Sequence, residues 1–143
     1  MYSIIFSNFS FIIPSFLTEL NDKLGGIGKI YSSYHLVNTT IGANSNNYVA
    51  ALNNLPKGKY ILMGKMVSYT NNNAGTLTAS FVVSGNAEDS GTAICTAQNY
   101  KRIEASNIIE ITASSADVAF DVYNYTGETI TIDGGWIKAI RIG

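Results

Sequence analysis

The residues that could carry out acid–base or metal chemistry are few and scattered. His35 is the only histidine and Cys95 the only cysteine, which excludes a multi-histidine metal site and a disulfide within the chain. A Ser-His-acid triad is arithmetically available, but the sequence has no Gly-x-Ser-x-Gly elbow to mark its nucleophile. Both His35 and Cys95 lie in stretches that predict strands. We therefore expect a structural or surface histidine and a thiol that packs as a small apolar group.

Paired carboxylates could in principle serve a glycosidase, which needs only two of them. Glu88 and Asp89 lie among Asn, Ser and Gly. This pattern could offer oxygen atoms to calcium or to a sugar, but it favours a solvated loop. Asp117 and Asp121 would share one face of a strand, where an exposed polar face accounts for both. Residues 25–29 are rich in glycine, but a phosphate loop needs the longer Gly-x-x-x-x-Gly-Lys-Ser/Thr spacing. We expect no enzymatic activity, no cofactor and no bound metal.

Tyrosines give the one positive indication of binding, and the chain has nine. An aromatic ring beside Asn and Thr can stack on a sugar while its hydroxyl forms a hydrogen bond. Cross-strand packing is the alternative use of such rings. The candidate ligand-binding residues, all near predicted strand ends or turns, are Tyr69, Asn72, Tyr100, Tyr123 and Tyr125. Clustering at one tip of the domain would favour binding over packing.

Short β-strands divided by turns are predicted from Gly28 to the C-terminus. The predicted strands cover residues 29–37, 48–52, 59–69, 76–84, 91–97, 100–105, 107–112, 117–123, 128–133 and 136–142. Residues 55–58 carry a turn signal, and residues 124–127 predict a hairpin with Gly127 at positive φ. This number and spacing of strands, with no helical period after Gly28, indicates an all-β sandwich or barrel.

The last predicted strand has an unusual pattern. Ile137 and Ala139 point one way and Trp136 and Lys138 the other, so neither face is purely polar. We therefore expect both faces of this strand to be covered at least in part.

The N-terminal residues are much more apolar than the rest and are interrupted by Pro14. After Pro14 the spacing predicts a short helix with Ser15 as its cap, and an extended segment is the weaker prediction before it. Such a stretch must be covered, either by packing across the β domain or by joining copies from neighbouring subunits, and we expect the second. The chain thus divides into an anchoring and oligomerisation segment, residues 1–27, and a β-sandwich head domain, residues 28–143.

Charge and hydropathy exclude two classes of partner. The formal net charge is −1 and the nine Lys and Arg are scattered, so no basic surface for nucleic acid is expected. No run of eighteen apolar residues exists and the N-terminus lacks a positively charged start, so neither membrane insertion nor a signal peptide is expected. Charged residues make up only 13% of the chain, and such a neutral polar surface suits contact faces.

Three short stretches resemble parts of known viral proteins. Residues 19–24 look like the short coiled segments of phage fibre shafts, and residues 55–60 resemble the Pro-x-Gly-x-Tyr start of a central strand. Residues 136–143 resemble the closing strand of trimeric complement/tumour-necrosis-factor-like heads. The resemblance implies a jelly-roll sandwich of about eight to ten antiparallel strands, although an immunoglobulin-like sandwich has a similar strand count. It also implies a homotrimer that contacts its receptor through apical loops or clefts between subunits.

The expected function is that of a non-enzymatic viral fibre or spike head on the surface of a phage virion, binding a host-surface glycan or protein. One alternative is a capsid or tail structural or decoration protein that attaches to other virion proteins through residues 1–27. A bacterial carbohydrate-binding module is a further alternative, although the sequence lacks a clear linker. An enzyme ranks last.

Overall fold

The computed structural model describes residues 26–35, 39–70, 75–84, 86–95 and 99–143, and every regular element among them is a β-strand. These strands are β1 (Ile30–His35), β2 (Thr39–Ile41), β3 (Ser45–Thr70), β4 (Gly75–Val83), β5 (Asn86–Cys95), β6 (Asn99–Asn124) and β7 (Ile130–Arg141). All of their pairings are antiparallel. The prediction of an all-β domain is confirmed. The predicted N-terminal helix and anchor lie almost wholly outside the described residues.

Two long strands, β3 and β6, hold the architecture together. They pair along nearly their whole length, with Ser45 opposite Asn124 and Thr70 opposite Asn99. Bulges shift the register of this pairing between Tyr48 and Gly58. Bulges of this kind bend a strand and let it pass from one layer of a sandwich to the other.

The bend divides the strands into two layers that share β3 and β6. Sheet 1 has the order β1-β7-β3-β6, with β2 also on β7, and uses residues 58–70 and 99–111 of the long strands. Sheet 2 has the order β3-β6-β4-β5 and uses residues 45–55 and 116–124. Two four-stranded layers linked by strands that run through both form a jelly roll. The strand order therefore decides against an immunoglobulin-like sandwich.

The predicted turn at residues 55–58 is a bend inside β3. Pro56 has no N–H to give to a strand ladder, and Gly58 has a φ of 155°. A Cβ on Gly58 would lie 2.7 Å from the carbonyl oxygen of Gly143. The Tyr60 hydroxyl donates a hydrogen bond of 2.7 Å to the Pro56 carbonyl, and burial raises the pKa of Tyr60. The prediction of separate strands was wrong here, because the bulges let the pairing continue through the bend.

The inner faces of the two sheets form one apolar core. Leu62 from sheet 1 and Phe81 and Phe120 from sheet 2 are fully buried, and the two phenylalanine rings lie 5.5 Å apart. Gly64 of sheet 1 faces Phe120, and a Cβ on Gly64 would overlap the phenylalanine ring. Glycine at this position is therefore what lets the sheets approach so closely.

Two predictions of local structure, for residues 88–89 and 124–127, were wrong. Glu88 and Asp89 lie within β5, opposite Phe81 and Ser80 of β4, and not in a loop. Residues 124–127 do not join a hairpin, because β6 pairs with β3 and β4 whereas β7 pairs with β1, β2 and β3. The loop between them crosses from sheet 2 to sheet 1.

The predicted two-sided burial of the last strand is confirmed. Ile137 and Ala139 of β7 are fully buried in the core. On the outer side Trp136 and Lys138 are both half-buried, and the Lys138 ammonium lies 5.0 Å from the centre of the Trp136 ring.

Candidate binding surface

One end of the sandwich gathers the predicted tyrosines. We define the tyrosine end as the turn at residues 42–44, the loop at residues 125–129, and the ends of β3 and β6 beside them. Tyr69 of β3 lies opposite Tyr100 of β6 on one side and opposite Thr131 of β7 on the other. Thr131 is at the start of β7, just after the loop at residues 125–129. The backbone N–H of Tyr125 bonds the Thr76 carbonyl at 2.9 Å, which attaches the loop to the start of β4. The jelly-roll connections therefore bring distant parts of the sequence to one tip.

A buried amide organises the tyrosine end. Asn124 is fully buried, and its amide nitrogen lies 3.1 Å from the carbonyls of Ile41 and Gly42 and 2.6 Å from that of Glu128. Its side-chain oxygen accepts hydrogen bonds from the Thr126 N–H at 2.9 Å and the Thr126 hydroxyl at 2.6 Å. One side chain therefore ties the β2–β3 turn to the β6–β7 loop. Gly127 completes the loop with a φ of 76°, as the sequence predicted.

Tyr123 and Tyr125 form an aromatic pair on either side of Asn124. Their ring centres lie 4.1 Å apart with the planes inclined by 32°. The Tyr123 hydroxyl donates a hydrogen bond of 2.7 Å to the carbonyl of Asn44, which itself has a φ of 52°. Tyr123 is half-buried, whereas Tyr125 is 53% exposed. The inner ring is thus fixed by a hydrogen bond and the outer ring presents an open face.

A second pair of candidate tyrosines lies on the other sheet. Tyr69 is exposed on the outer face of sheet 1, with Tyr100 opposite it in the neighbouring strand. Tyr123 lies on the outer face of sheet 2, because Val122 and Asn124 on either side of it point into the core. The structure therefore arranges four of the five candidates as two pairs, one on each sheet. Asn72 lies outside the described residues.

A carboxylate–amide pair continues the polar surface below the tyrosines. The amide nitrogen of Asn46 donates to both oxygens of Asp121 at 3.0 Å, and Asn46 lies directly opposite Tyr123 in the sheet. The exposed polar face predicted for the aspartates was wrong for Asp121, which is only 8% exposed because the strands beside it cover it. Burial raises the pKa of the Asp121 carboxyl, and the hydrogen bonds from Asn46 oppose that rise.

Further along the same outer face a shallow groove has a volume of about 470 Å³. Tyr48 and Asn53 line it from β3, Val82 from β4, and Asp117 and Ala119 from β6. Asp117 accepts a hydrogen bond of 2.8 Å from the Asn54 backbone N–H, so this carboxylate also stabilises the bend in β3. Sheet 2 thus offers a mostly polar outer face that ends in an aromatic pair.

These groups suit recognition by contact. Aromatic faces, amides and one buried carboxylate can stack on and hydrogen-bond a ligand. Within the described ranges no three His, Cys, Asp or Glu residues come close enough to hold a metal ion. In that same part of the chain, no helix is long and apolar enough to cross a membrane.

Sequence reasoning missed the residue on which the tyrosine end depends. The sequence pattern places Asn124 in a predicted hairpin turn, residues 124–127. The structure instead buries its side chain among three backbone carbonyls. The available signal was Thr126 two residues later, since Asn side chains commonly bond the backbone two residues ahead. The carbonyls of Ile41 and Gly42 could not be found this way, because they are more than eighty residues distant.

Comparison with known proteins supports the fold. No protein-family model matches the sequence, and no curated protein matches it either. The structure of T=1 particles derived from infectious bursal disease virus matches with a TM-score of 0.59 and 12% identity, over 79% of this chain and 32% of that chain. The VP2 subviral particle of the same virus matches with a TM-score of 0.54 and 11% identity, over 79% and 33%.

The chain thus spans about a third of the length of these viral chains. The structure of Eiger TNF from S. frugiperda matches with a TM-score of 0.47 and 7% identity, over 80% of this chain and 93% of that chain. That match is too distant to test the tumour-necrosis-factor-like resemblance. At identities this low, the viral matches show a shared fold.

Proposed function

We propose that this chain is a structural protein of a virus particle, and that it serves as a non-enzymatic fibre or spike head. Its jelly roll, with β3 and β6 running through both sheets, is the fold it shares with a bursal disease virus particle protein. The tyrosine end is the contact surface for a host-surface glycan or protein. A virion location on the outer surface follows from that role.

The observation that carries the binding role is the aromatic pair of Tyr123 and Tyr125. The inner ring is held by the Asn44 carbonyl and the loop by the Asn124 amide, so little conformational freedom is left to lose when a ligand binds. The exposed Tyr125 ring offers an apolar face beside polar side chains. Sugar rings and protein side chains with apolar edges both fit such a surface.

Binding to a glycan array and to host cells tests this role directly. We expect Tyr125→Ala to reduce binding at least tenfold, which corresponds to about 1.4 kcal/mol. Tyr34→Ala is the matched control, because Tyr34 is an equally exposed tyrosine, 61% exposed, but lies on β1 in the other sheet. Equal binding by the parent chain and the Tyr125 variant would contradict the proposal.

The trimeric state of a fibre head is a separate part of the proposal. Light scattering at micromolar concentration is expected to give three times the chain mass of 15.4 kDa. A monomer at that concentration would remove the fibre-head role, while leaving a role in the particle open.

The second candidate is a capsid or tail structural or decoration protein in contact with other virion proteins. The similarity to a chain solved within viral T=1 particles favours it. Gold-labelled antibodies in electron micrographs distinguish the two roles. Label at fibre tips supports the head, whereas label spread over the shell or tail supports the second candidate.

A further inference from the structure

The shallow groove on the outer face of sheet 2 has short side chains at its bottom and longer ones at its sides. Ala51 of β3 lies opposite Ala119 of β6, which lies opposite Val82 of β4, and these three residues form the bottom. Tyr48 lies on one side and Asp117 on the other. We call this feature the sheet 2 groove. Its volume of about 470 Å³ is that of a small-molecule site, which is typically about 300 to 1,000 Å³.

The sides of the sheet 2 groove carry polar groups that are available to a ligand. Within the described part of the chain, the Tyr48 hydroxyl and the Asn53 amide make no hydrogen bond. Asp117 is exposed, and one of its two carboxylate oxygens accepts the Asn54 N–H. A ligand that bonds these groups replaces water and breaks no hydrogen bond within the protein.

The charges on this side of the domain exclude an acidic ligand. The chain has nine Lys and Arg, and none of them falls in residues 42–55, 75–95 or 116–129, which form sheet 2 and the loops of the tyrosine end. The same surface carries the carboxylates of Asp117, Asp121 and Glu128. Like charges brought together at an interface are strongly unfavourable, so a sialylated or sulfated glycan does not fit here.

A cationic ligand also finds little in the sheet 2 groove. Asp121 is buried against the Asn46 amide, so Asp117 is the exposed carboxylate among the lining residues. A single ion pair between exposed groups in water contributes little to affinity. The remaining lining groups are neutral hydroxyl, amide and short apolar side chains, which match a ligand of the same neutral character.

The sheet 2 groove is continuous with the aromatic pair of Tyr123 and Tyr125. Ala119 at its bottom lies four residues from Tyr123 on β6, and both face outward. At about 3.4 Å per residue, roughly 13 Å separate the two positions along the strand. Asp121 and Ser80 lie between them, and both are polar. A ligand that reaches both places is therefore elongated.

We propose that the sheet 2 groove and the aromatic pair form one site for an uncharged oligosaccharide. One sugar ring stacks on Tyr125, and the rest of the sugar chain follows β6 into the groove beside Tyr48. There a sugar hydroxyl donates to the Asp117 carboxylate, and the Asn53 amide donates to a sugar oxygen. This inference rests on the proposed function, because it names the ligand class of the tyrosine end. A protein partner is the alternative that the experiment must separate.

A glycan array tests the proposal on the full chain. The array carries neutral oligosaccharides of galactose, glucose, mannose and their N-acetylamino forms, from disaccharide to tetrasaccharide, with a sialylated and a sulfated form of each. We expect binding to rise with length, and each acidic form to bind at least about tenfold more weakly than its neutral parent.

Solution titrations of the best neutral series then test the groove residues. Tyr48→Ala should lower tetrasaccharide binding about tenfold and leave disaccharide binding unchanged, since stacking on one ring contributes about that much. Disaccharide binding also reports that the variant is folded. Tyr34→Ala is the matched control, because it removes an exposed tyrosine from sheet 1, and it should change neither affinity.

Asp117→Asn tests the discrimination against acidic glycans. The asparagine oxygen still accepts the Asn54 N–H, so the bend in β3 keeps its hydrogen bond while the charge is removed. We expect the gap between neutral and acidic forms to narrow from about tenfold to about threefold.

The outcomes separate this inference from the proposed function. Tetrasaccharide binding that is unchanged in the Tyr48 variant, or a preference for acidic glycans, would overturn the inference while a requirement for Tyr125 leaves the proposed function standing. Host-cell binding through Tyr125 with no retention on the array would do the same, because the partner would then be a protein. Host-cell binding that does not depend on Tyr125 would overturn both.

Discussion

The two sheets have the same kind of inner face and very different outer faces. Inside, both contribute alternate apolar residues to one core. Outside, sheet 2 carries mostly polar side chains that bond one another, such as Asn46 with Asp121. Sheet 1 carries a row of four isoleucines, and the two at its ends, Ile30 and Ile108, are more than half exposed.

This difference separates two kinds of surface on one fold. A face whose polar groups are already satisfied by neighbours is stable in water and binds by adding a few contacts at its edge, as at the tyrosine end. On sheet 1 the exposed isoleucines lie between rows that carry charged side chains such as Lys65 and Glu104, and they gain stability only when they are covered. The polar groups of sheet 2 therefore suit recognition better than the outer face of sheet 1 does.

The largest expected effect comes from forcing the two sheets apart. Gly64→Ala places a methyl group in the Phe120 ring, and we expect it to lower the free energy of unfolding by about 3 kcal/mol. Gly134→Ala is the matched control, because nothing lies within 4 Å of the added Cβ. Urea unfolding measures both variants. Equal stability of the two would mean that the sheets are not in close contact at Gly64.

The next effect concerns the satisfied polar surface at the tyrosine end. Asn124→Ala removes the donors to the Ile41 and Glu128 carbonyls, so buried polar groups lose their partners. We expect a loss of about 2 kcal/mol in the free energy of unfolding. Asn53→Ala, at an exposed position of β3, should change it by less than about 0.5 kcal/mol. A loss no larger for the Asn124 variant would contradict the organising role of its amide.

A smaller effect tests the row of four isoleucines on sheet 1. Ile61→Thr, at a half-buried position within the row, should lower the free energy of unfolding by about 1 kcal/mol, because it replaces buried apolar surface with a hydroxyl. Tyr48→Thr on the outer face of sheet 2 should change it by less than about 0.5 kcal/mol. Similar small effects at both positions would make the two outer faces alike and remove the contrast.

The smallest effect is the pH dependence of the Asp121 carboxyl. Its pKa in the folded chain is raised above the ordinary value of 3.8 by burial, so the folded state holds this proton more tightly than the unfolded state does. Its contribution to stability is complete below about pH 3.8 and is lost as the pH rises through the raised pKa. Unfolding curves from pH 3.5 to 6.5 for the parent and Asp121→Asn should therefore diverge over that window. Parallel pH profiles would show that Asp121 is not desolvated.

The sequence predicted the elements of the fold well where the pattern is local. Alternating burial in the last strand follows directly from the order of Ile137, Lys138 and Ala139, and positive φ at Gly127 follows from its place in a turn. Prediction failed where pairing partners decide the outcome. Glu88 and Asp89 have loop-forming neighbours, yet the ladder to β4 holds them in a strand.

The candidate site was likewise predicted only in part from the sequence. Its aromatic residues were recognisable from their type and from their positions near turns, and four of the five candidates form two pairs. The buried role of Asn124 was not predicted, because its amide donates to the carbonyls of Ile41 and Gly42, which are distant in the sequence. A side chain in a turn sequence gives no sign of which carbonyls will surround it.

By itself, the sequence determined that this is an all-β domain with a neutral polar surface and an apolar N-terminal segment, because these depend on composition and on the two-residue period of a strand. Only the tertiary structure decided that the strands form a jelly roll, that Tyr123 and Tyr125 stack, and that four isoleucines align across sheet 1. The reason is physical. Alternation fixes which face a side chain is on, but register and strand order fix which side chains meet, and both arise from pairings between residues far apart in the chain.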